Sequence, residues 1–206
     1  AYGDWSKDTL KNWKNSLNTL AIQPIQQFAY TSGKNATDSS IIIDAMDLLY
    51  GQRHDTFVIV SSDSDFTRLA SLLRESEIFV IGFGQNKTPL AFRNACDDFI
   101  FTENLNNDSG DEKTNQPLQI AKPKKVTELV PLLTKAWSQF REEDGWANLS
   151  FVGTYIKRSR PDFDPRTYGC TKLSDIIRKL EKYFNHKMIS VNGSKASIMV
   201  YQLKAS

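Results

Sequence analysis

Apolar positions change rhythm along this chain of 206 residues. Up to residue 105, short runs rich in β-branched and aromatic residues alternate with stretches in which apolar residues recur every three or four positions. Leu10, Trp13, Leu17 and Leu20 keep helical spacing, and Ile22 to Tyr30 then reads as extended, with Pro24 limiting its pairing. The pattern predicts a helix over Thr37 to Tyr50, a strand over Thr56 to Ser61, a helix over Phe66 to Glu75 and a strand over Ile78 to Gly82. A short helix from Leu90 to Ala95 and a strand from Phe99 to Phe101 complete it. Such βαβα order predicts a parallel sheet covered on both faces.

The rhythm then stops. Residues 106 to 125, from Asn106-Asn107-Asp108 through Lys122-Pro123-Lys124-Lys125, have almost nothing to bury and read as a flexible linker. Beyond it, Leu129, Leu132, Leu133, Ala136 and Phe140 form one helix face. Leu149, Val152 and Ile156 form a second, and Leu173, Ile176, Ile177 and Leu180 a third. Lys187 to Val191 and Ala196 to Leu203 alternate around Asn192-Gly193-Ser194, a strong hairpin signal. Three helices closed by a β-ribbon describe a winged helix-turn-helix. The expected organisation is therefore a domain over 1–105, a linker over 106–125 and a second domain over 126–206.

Charge divides the chain at the same place. Residues 1 to 105 carry 9 Lys/Arg against 13 Asp/Glu, while residues 106 to 206 carry 17 against 11. A basic half beside an acidic one suits a polyanion such as nucleic acid, although basic surfaces are often only solvated faces. No apolar run is long enough for a membrane span, and the first residues lack the features of a secretory signal, so the expected location is the cytoplasm. Cys96 and Cys170 lie far apart without zinc-ligand spacing, which argues against a disulfide framework or a zinc site.

The chemistry concentrates at Phe57-Val58-Ile59-Val60-Ser61-Ser62-Asp63-Ser64-Asp65-Phe66, where a strand ends in two aspartates one residue apart. Carboxyl ends of parallel strands are where ligands sit, and acidic side chains there can hold a hard divalent cation. Asp38, in the first turn of its helix, is a further candidate. Each place also has an ordinary structural reading: Asp63 or Ser64 as the N-cap of the next helix, and Thr37 or Asp38 as a cap, with a first-turn carboxylate favoured by the macrodipole. Gly82-Phe83-Gly84 reads first as a tight turn, and Asp97 and Asp98 as loop charges at the same edge.

Tyr2-Gly3-Asp4-Trp5, Gly33-Lys34-Asn35-Ala36-Thr37-Asp38, Ile43-Asp44-Ala45-Met46-Asp47, the Ser61 to Phe66 run, Ile81-Gly82-Phe83-Gly84 and Ala95-Cys96-Asp97-Asp98-Phe99 together resemble the NYN domains, relatives of PIN nucleases, in their LabA-like bacterial branch. The resemblance implies an α/β fold: a Rossmann-like (PIN-like) three-layer α/β/α domain with a parallel sheet. It further implies an acidic pocket holding Mg²⁺ or Mn²⁺ and cleavage of RNA. It carries Asp38, Asp63 and Asp65 over as catalytic metal ligands; in the mechanism expected from them, Lys34 or Asn35 contacts a phosphate. The family's first strand and its aspartate have no counterpart, and Asp4 does not match that position. The expectation is a lost preceding segment or a truncated product.

Trp146-Ala147-Asn148-Leu149-Ser150-Phe151-Val152-Gly153, Pro161-Asp162-Phe163-Asp164-Pro165-Arg166-Thr167-Tyr168-Gly169 and Lys172-Leu173-Ser174-Asp175 resemble the LOTUS or OST-HTH domain. This implies a small winged-helix α+β module that binds RNA, in some members G-rich RNA, and in others a protein partner. Of the basic residues in this half, Arg166 and Lys172 are expected to contact RNA, with Tyr168 stacking on a base. The expected function is a metal-dependent ribonuclease with an RNA-binding module. The alternatives are a catalytically inactive RNA-binding adaptor and a LOTUS domain that binds protein.

Overall fold

Thr56–Val60 is an unbroken run of β-branched and aromatic residues, stiff at χ1 and suited to a pleated surface. In the computed structural model, which describes residues 1–28, 36–107, 123–190 and 197–204, it forms a strand of the central sheet. Numbered in chain order, the strands of the first half are β1 (Tyr2–Gly3), β2 (Ile25–Gln26), β3 (Thr56–Val60), β4 (Phe79–Gly84) and β5 (Asp98–Phe101). The helices are α1 (Lys11–Thr19), α2 (Ala36–Tyr50), α3 (Thr67–Glu75) and α4 (Leu90–Ala95). β3, β4 and β5 pair in parallel in that order, with Val58 opposite Ile81 and Ile81 opposite Asp98.

The crossovers α3 and α4 lie over one face of this sheet. Leu69, Ala70, Leu73, Phe92 and Cys96 bury there against Ile59, Val80, Phe99 and Phe101. Each large side chain so buried stabilises the fold by about 1.5–3 kcal/mol before its ordering cost. Residues of the opposite parity, Val58 (55%), Val60 (74%) and Phe79 (49%), remain exposed on the other face. β1 and β2 form a separate parallel pair, held by the Trp5 indole N–H donating to the Ile25 carbonyl. α1 is shallower than its spacing predicts, since Leu17 is buried but Trp13 and Leu20 are exposed.

Gly82-Phe83-Gly84 is not a turn. It is the end of β4, which continues two residues past the predicted limit. The glycines are there for close packing. A Cβ on Gly82 would lie 2.5 Å from Phe99 Cδ2 and 2.8 Å from Cys96 Sγ, and one on Gly84 would lie 2.6 Å from the Ser61 carbonyl.

The second half contains α5 (Val130–Phe140), β6 (Ala147–Asn148), α6 (Leu149–Ser159), α7 (Leu173–Lys179), β7 (Phe184–Ser190) and β8 (Ser197–Leu203). β8 lies antiparallel between β6 and β7. The three predicted helix faces meet the ribbon in one core of Leu133, Val152, Ile156, Ile176, Phe184 and Tyr201. The Tyr201 hydroxyl satisfies itself by donating to the Leu133 carbonyl at 2.8 Å. Asn148 caps α6 by accepting from the Ser150 N–H. The predicted turn Asn192-Gly193-Ser194 and most of the expected linker lie outside the described residues. Among the described residues no helix is long and apolar enough to cross a membrane.

Candidate functional site

The end of β3 is braced residue by residue. The Ser61 N–H donates to the Phe83 carbonyl, which prolongs the strand contact, and the Ser61 hydroxyl oxygen accepts from the Asp63 N–H at 3.1 Å. The Ser62 hydroxyl oxygen accepts from the Gln85 N–H at 2.9 Å, tying this edge to the loop after β4. Asp63 then caps a one-turn 3-10 helix, Ser64–Phe66, by accepting from the Asp65 N–H, and Phe66 anchors that turn in the core. The ordinary N-cap reading of Asp63 therefore holds alongside the functional one. Sequence reasoning missed the two serines, whose only signal was their place between a strand and two acids.

The first turn of α2 brings Asp38 to the same place. One carboxylate oxygen from each of Asp38, Asp63 and Asp65 lies within 4.8 Å of the others. Asp38 is half-buried and the other two are exposed. Its pKa is raised, first by partial burial and then by the charges of Asp63 and Asp65. Three converging carboxylates that repel one another are the donor set a hard divalent ion prefers, so Mg²⁺ or Mn²⁺ fits here.

Four other acids of this half are engaged by the scaffold. Asp44 accepts from the Tyr2 hydroxyl at 2.8 Å, and Asp4 accepts from Ser6 and Gln26. Asp97 takes the Arg74 guanidinium on one oxygen and the Val80 N–H on the other. Asp98 pairs with Lys157. Neither Asp97 nor Asp98 is the solvated loop charge that the sequence suggested.

The residues expected to meet RNA are placed unequally. Lys34 and Asn35 lie outside the described residues. Tyr168 corrects the expectation: it is only 5% exposed and packs beside Phe163, with ring centroids 6.2 Å apart, so its face is not open to a base. Arg166 is engaged by Asp164 through Nε and Nη2 and donates from Nη1 to the Asn104 carbonyl at 3.2 Å. Burial alone would raise the pKa of Asp164, but the hydrogen bonds and charge of Arg166 bring it below the ordinary carboxylate value. Lys172 is exposed at the start of α7. With Ser150, Ser174, Arg178, Met188 and Met199 it lines a groove of 750 Å³ between α6, α7 and the ribbon.

Comparison with known proteins assigns each half to a domain family. The NYN domain model matches residues 1–105 and the OST-HTH/LOTUS domain model residues 122–190, in that order. A solution NMR structure of an uncharacterized protein from Nitrosomonas europaea is similar to 48% of this chain and 93% of its own, at 30% identity and a TM-score of 0.37. No curated protein matches. The chain belongs to the NYN domain family, and an OST-HTH/LOTUS domain follows its NYN domain.

Proposed function

We propose that this chain is a divalent-metal-dependent ribonuclease whose OST-HTH domain retains RNA while its NYN domain cuts it. The observation that carries this reading is the convergence of Asp38, Asp63 and Asp65 within 4.8 Å at the carboxyl end of β3, in a NYN domain. Asp38, Asp63 and Asp65 would hold Mg²⁺ or Mn²⁺. The bound ion would polarise a phosphodiester oxygen and make water a nucleophile at neutral pH. The chain's own part is to fix the donors. The Ser61 and Ser62 hydroxyls and the Phe66 anchor hold the Asp63–Asp65 turn rigid against β4.

Lys34 or Asn35, just before α2, would contact a phosphate of the same strand. On the OST-HTH side, exposed Lys172 and Arg178 beside the α6–α7 groove are the contacts this reading favours for retaining RNA. Both cysteines are free and buried, which is compatible with a reducing compartment, and the working location is the cytoplasm.

End-labelled RNA, including a G-rich strand, incubated with and without Mn²⁺ tests the proposal. Metal-dependent shortening that disappears in Asp63→Asn is the expected result. RNA that is retained but never shortened would make the chain an adaptor, and the absence of any salt-dependent RNA shift would point the OST-HTH domain toward a protein partner.

A further inference from the structure

Several polar groups of this chain are buried where the two halves meet. Asp162, 7% exposed, takes Arg93 Nη1 at 2.6 Å, and Arg93 keeps only 17% of its side-chain exposure. Asn104, also 7% exposed, donates from Nδ2 to Asp164 Oδ2 at 3.1 Å and to Thr167 Oγ1 at 3.2 Å. The Arg166 guanidinium returns to the Asn104 carbonyl. The Phe99 N–H of β5 donates to the Pro161 carbonyl at 3.0 Å, so the loop around Pro161 covers part of that strand's outer edge.

A chance contact between freely moving domains leaves its charges hydrated, whereas an unpaired charge or amide in a dry seam is costly. Here an arginine, an aspartate and an asparagine give up water: Asp162 and Asn104 find partners across the seam, and Arg93 pairs through Nη1 although its buried Nε has no partner among the described residues. The polarity also crosses over: Arg93 from the acidic half meets Asp162, while Lys157 from the basic half meets Asp98. Sliding the seam would bring like charges together, which fixes one register. The more exposed Lys157–Asp98 pair adds orientation more than strength.

We infer that the segment Pro161–Thr167 is a docking element through which the OST-HTH domain seats on β5, α4 and Asn104 of the NYN domain, so that the whole chain moves as one body. Of the segment the sequence offered as an RNA reader, Arg166 and Thr167 are engaged in this seam, while Tyr168 is buried in its own domain's core. The acidic site and the α6–α7 groove then keep a fixed separation, whatever the chemistry at either.

Backbone ¹⁵N relaxation on the intact, monomeric chain tests this without reference to catalysis. One rotational correlation time shared by amides of both domains is expected. Two shorter, distinct times in the wild type would overturn the inference. Arg93→Met and Asn104→Ala each change only the NYN side of the seam and should split the single time into two while both domains keep dispersed amide spectra. Asn104→Ala covers the case in which Arg93→Met, beside Phe101, fails to fold. A single time that persists in folded variants would show that these residues do not make the seam and would overturn their assignment.

Discussion

Replacing Asp63 with Asn should stabilise the metal-free NYN domain even as it removes function. Asn is as good an N-cap as Asp, so the bond accepted from the Asp65 N–H survives the change. What disappears is one negative charge whose carboxylate lies within 4.8 Å of those of Asp38 and Asp65. At that separation each repulsion is worth about 0.9 kcal/mol in a water-like dielectric. Two of them, roughly halved by physiological salt, leave about 1 kcal/mol. In a chain of this size that corresponds to a rise of about 2–4 °C in Tm.

The pH dependence follows from Asp38. Its folded pKa is raised, so ionising it costs stability: the cost is absent while the group is protonated in both states and fully present above the raised value. Asp63→Asn removes part of that cost, so the variant's advantage should open as pH rises through the carboxylate range and stay level above it. Mn²⁺ should reverse the order. An ion at one hundred times its Kd stabilises the folded state by about 2.7 kcal/mol, more than the repulsion it relieves, and the variant forfeits most of that gain. Calorimetric scans of both proteins, with EDTA and with Mn²⁺, read both effects. A variant that melts lower than wild type in EDTA, or that gains as much from Mn²⁺, would refute the account of the three acids.

Gly82→Ala places a methyl 2.5 Å from Phe99 and 2.8 Å from Cys96, an overpacking worth about 1–3 kcal/mol, so its thermal midpoint should fall by several degrees. An unchanged midpoint would mean that β4 and β5 yield more than their packing suggests. Lys172→Ala should weaken RNA binding about equally across sequences and reduce the slope of log K against log salt by about 0.7 for a single strand. Gel-shift titrations at four salt concentrations measure it, and an unaltered slope would remove Lys172 from the RNA surface.

The parts of this protein that a single sequence made legible are those whose cause is local. Thr56–Val60 could be read as a strand because its side chains leave little else open to it. Asp63 and Asp65 could be placed at a strand end because the strand stops there. Asp38 was different: it stood as a further metal candidate, but nothing between residues 38 and 63 says that the first turn of α2 meets the end of β3, and the resemblance strengthened the link. Gly82 and Gly84 were misread because glycine has two uses, positive φ and close approach, and only the position of Phe99 decides for the second.

Tyr168 was misread for the same reason on a larger scale, and the surroundings of Arg166 were equally hidden. Guanidinium and phenol are good RNA-binding chemistry, but the phenol serves equally well in a core and the guanidinium in a seam: Tyr168 is buried beside Phe163 of its own domain, and Arg166 reaches the Asn104 carbonyl. A local signal did exist. Asp164 precedes Pro165-Arg166-Thr167-Tyr168-Gly169, accepts from the Arg166 N–H as a cap and is followed by Gly169 at φ 65°, a compact turn readable from Asp-Pro and Gly. A turn that folds its arginine back onto its own capping aspartate has already found one partner for that charge. Under the proposed function, RNA contact is then expected of basic residues beside the groove, such as Lys172 at the start of α7, which is exposed to water.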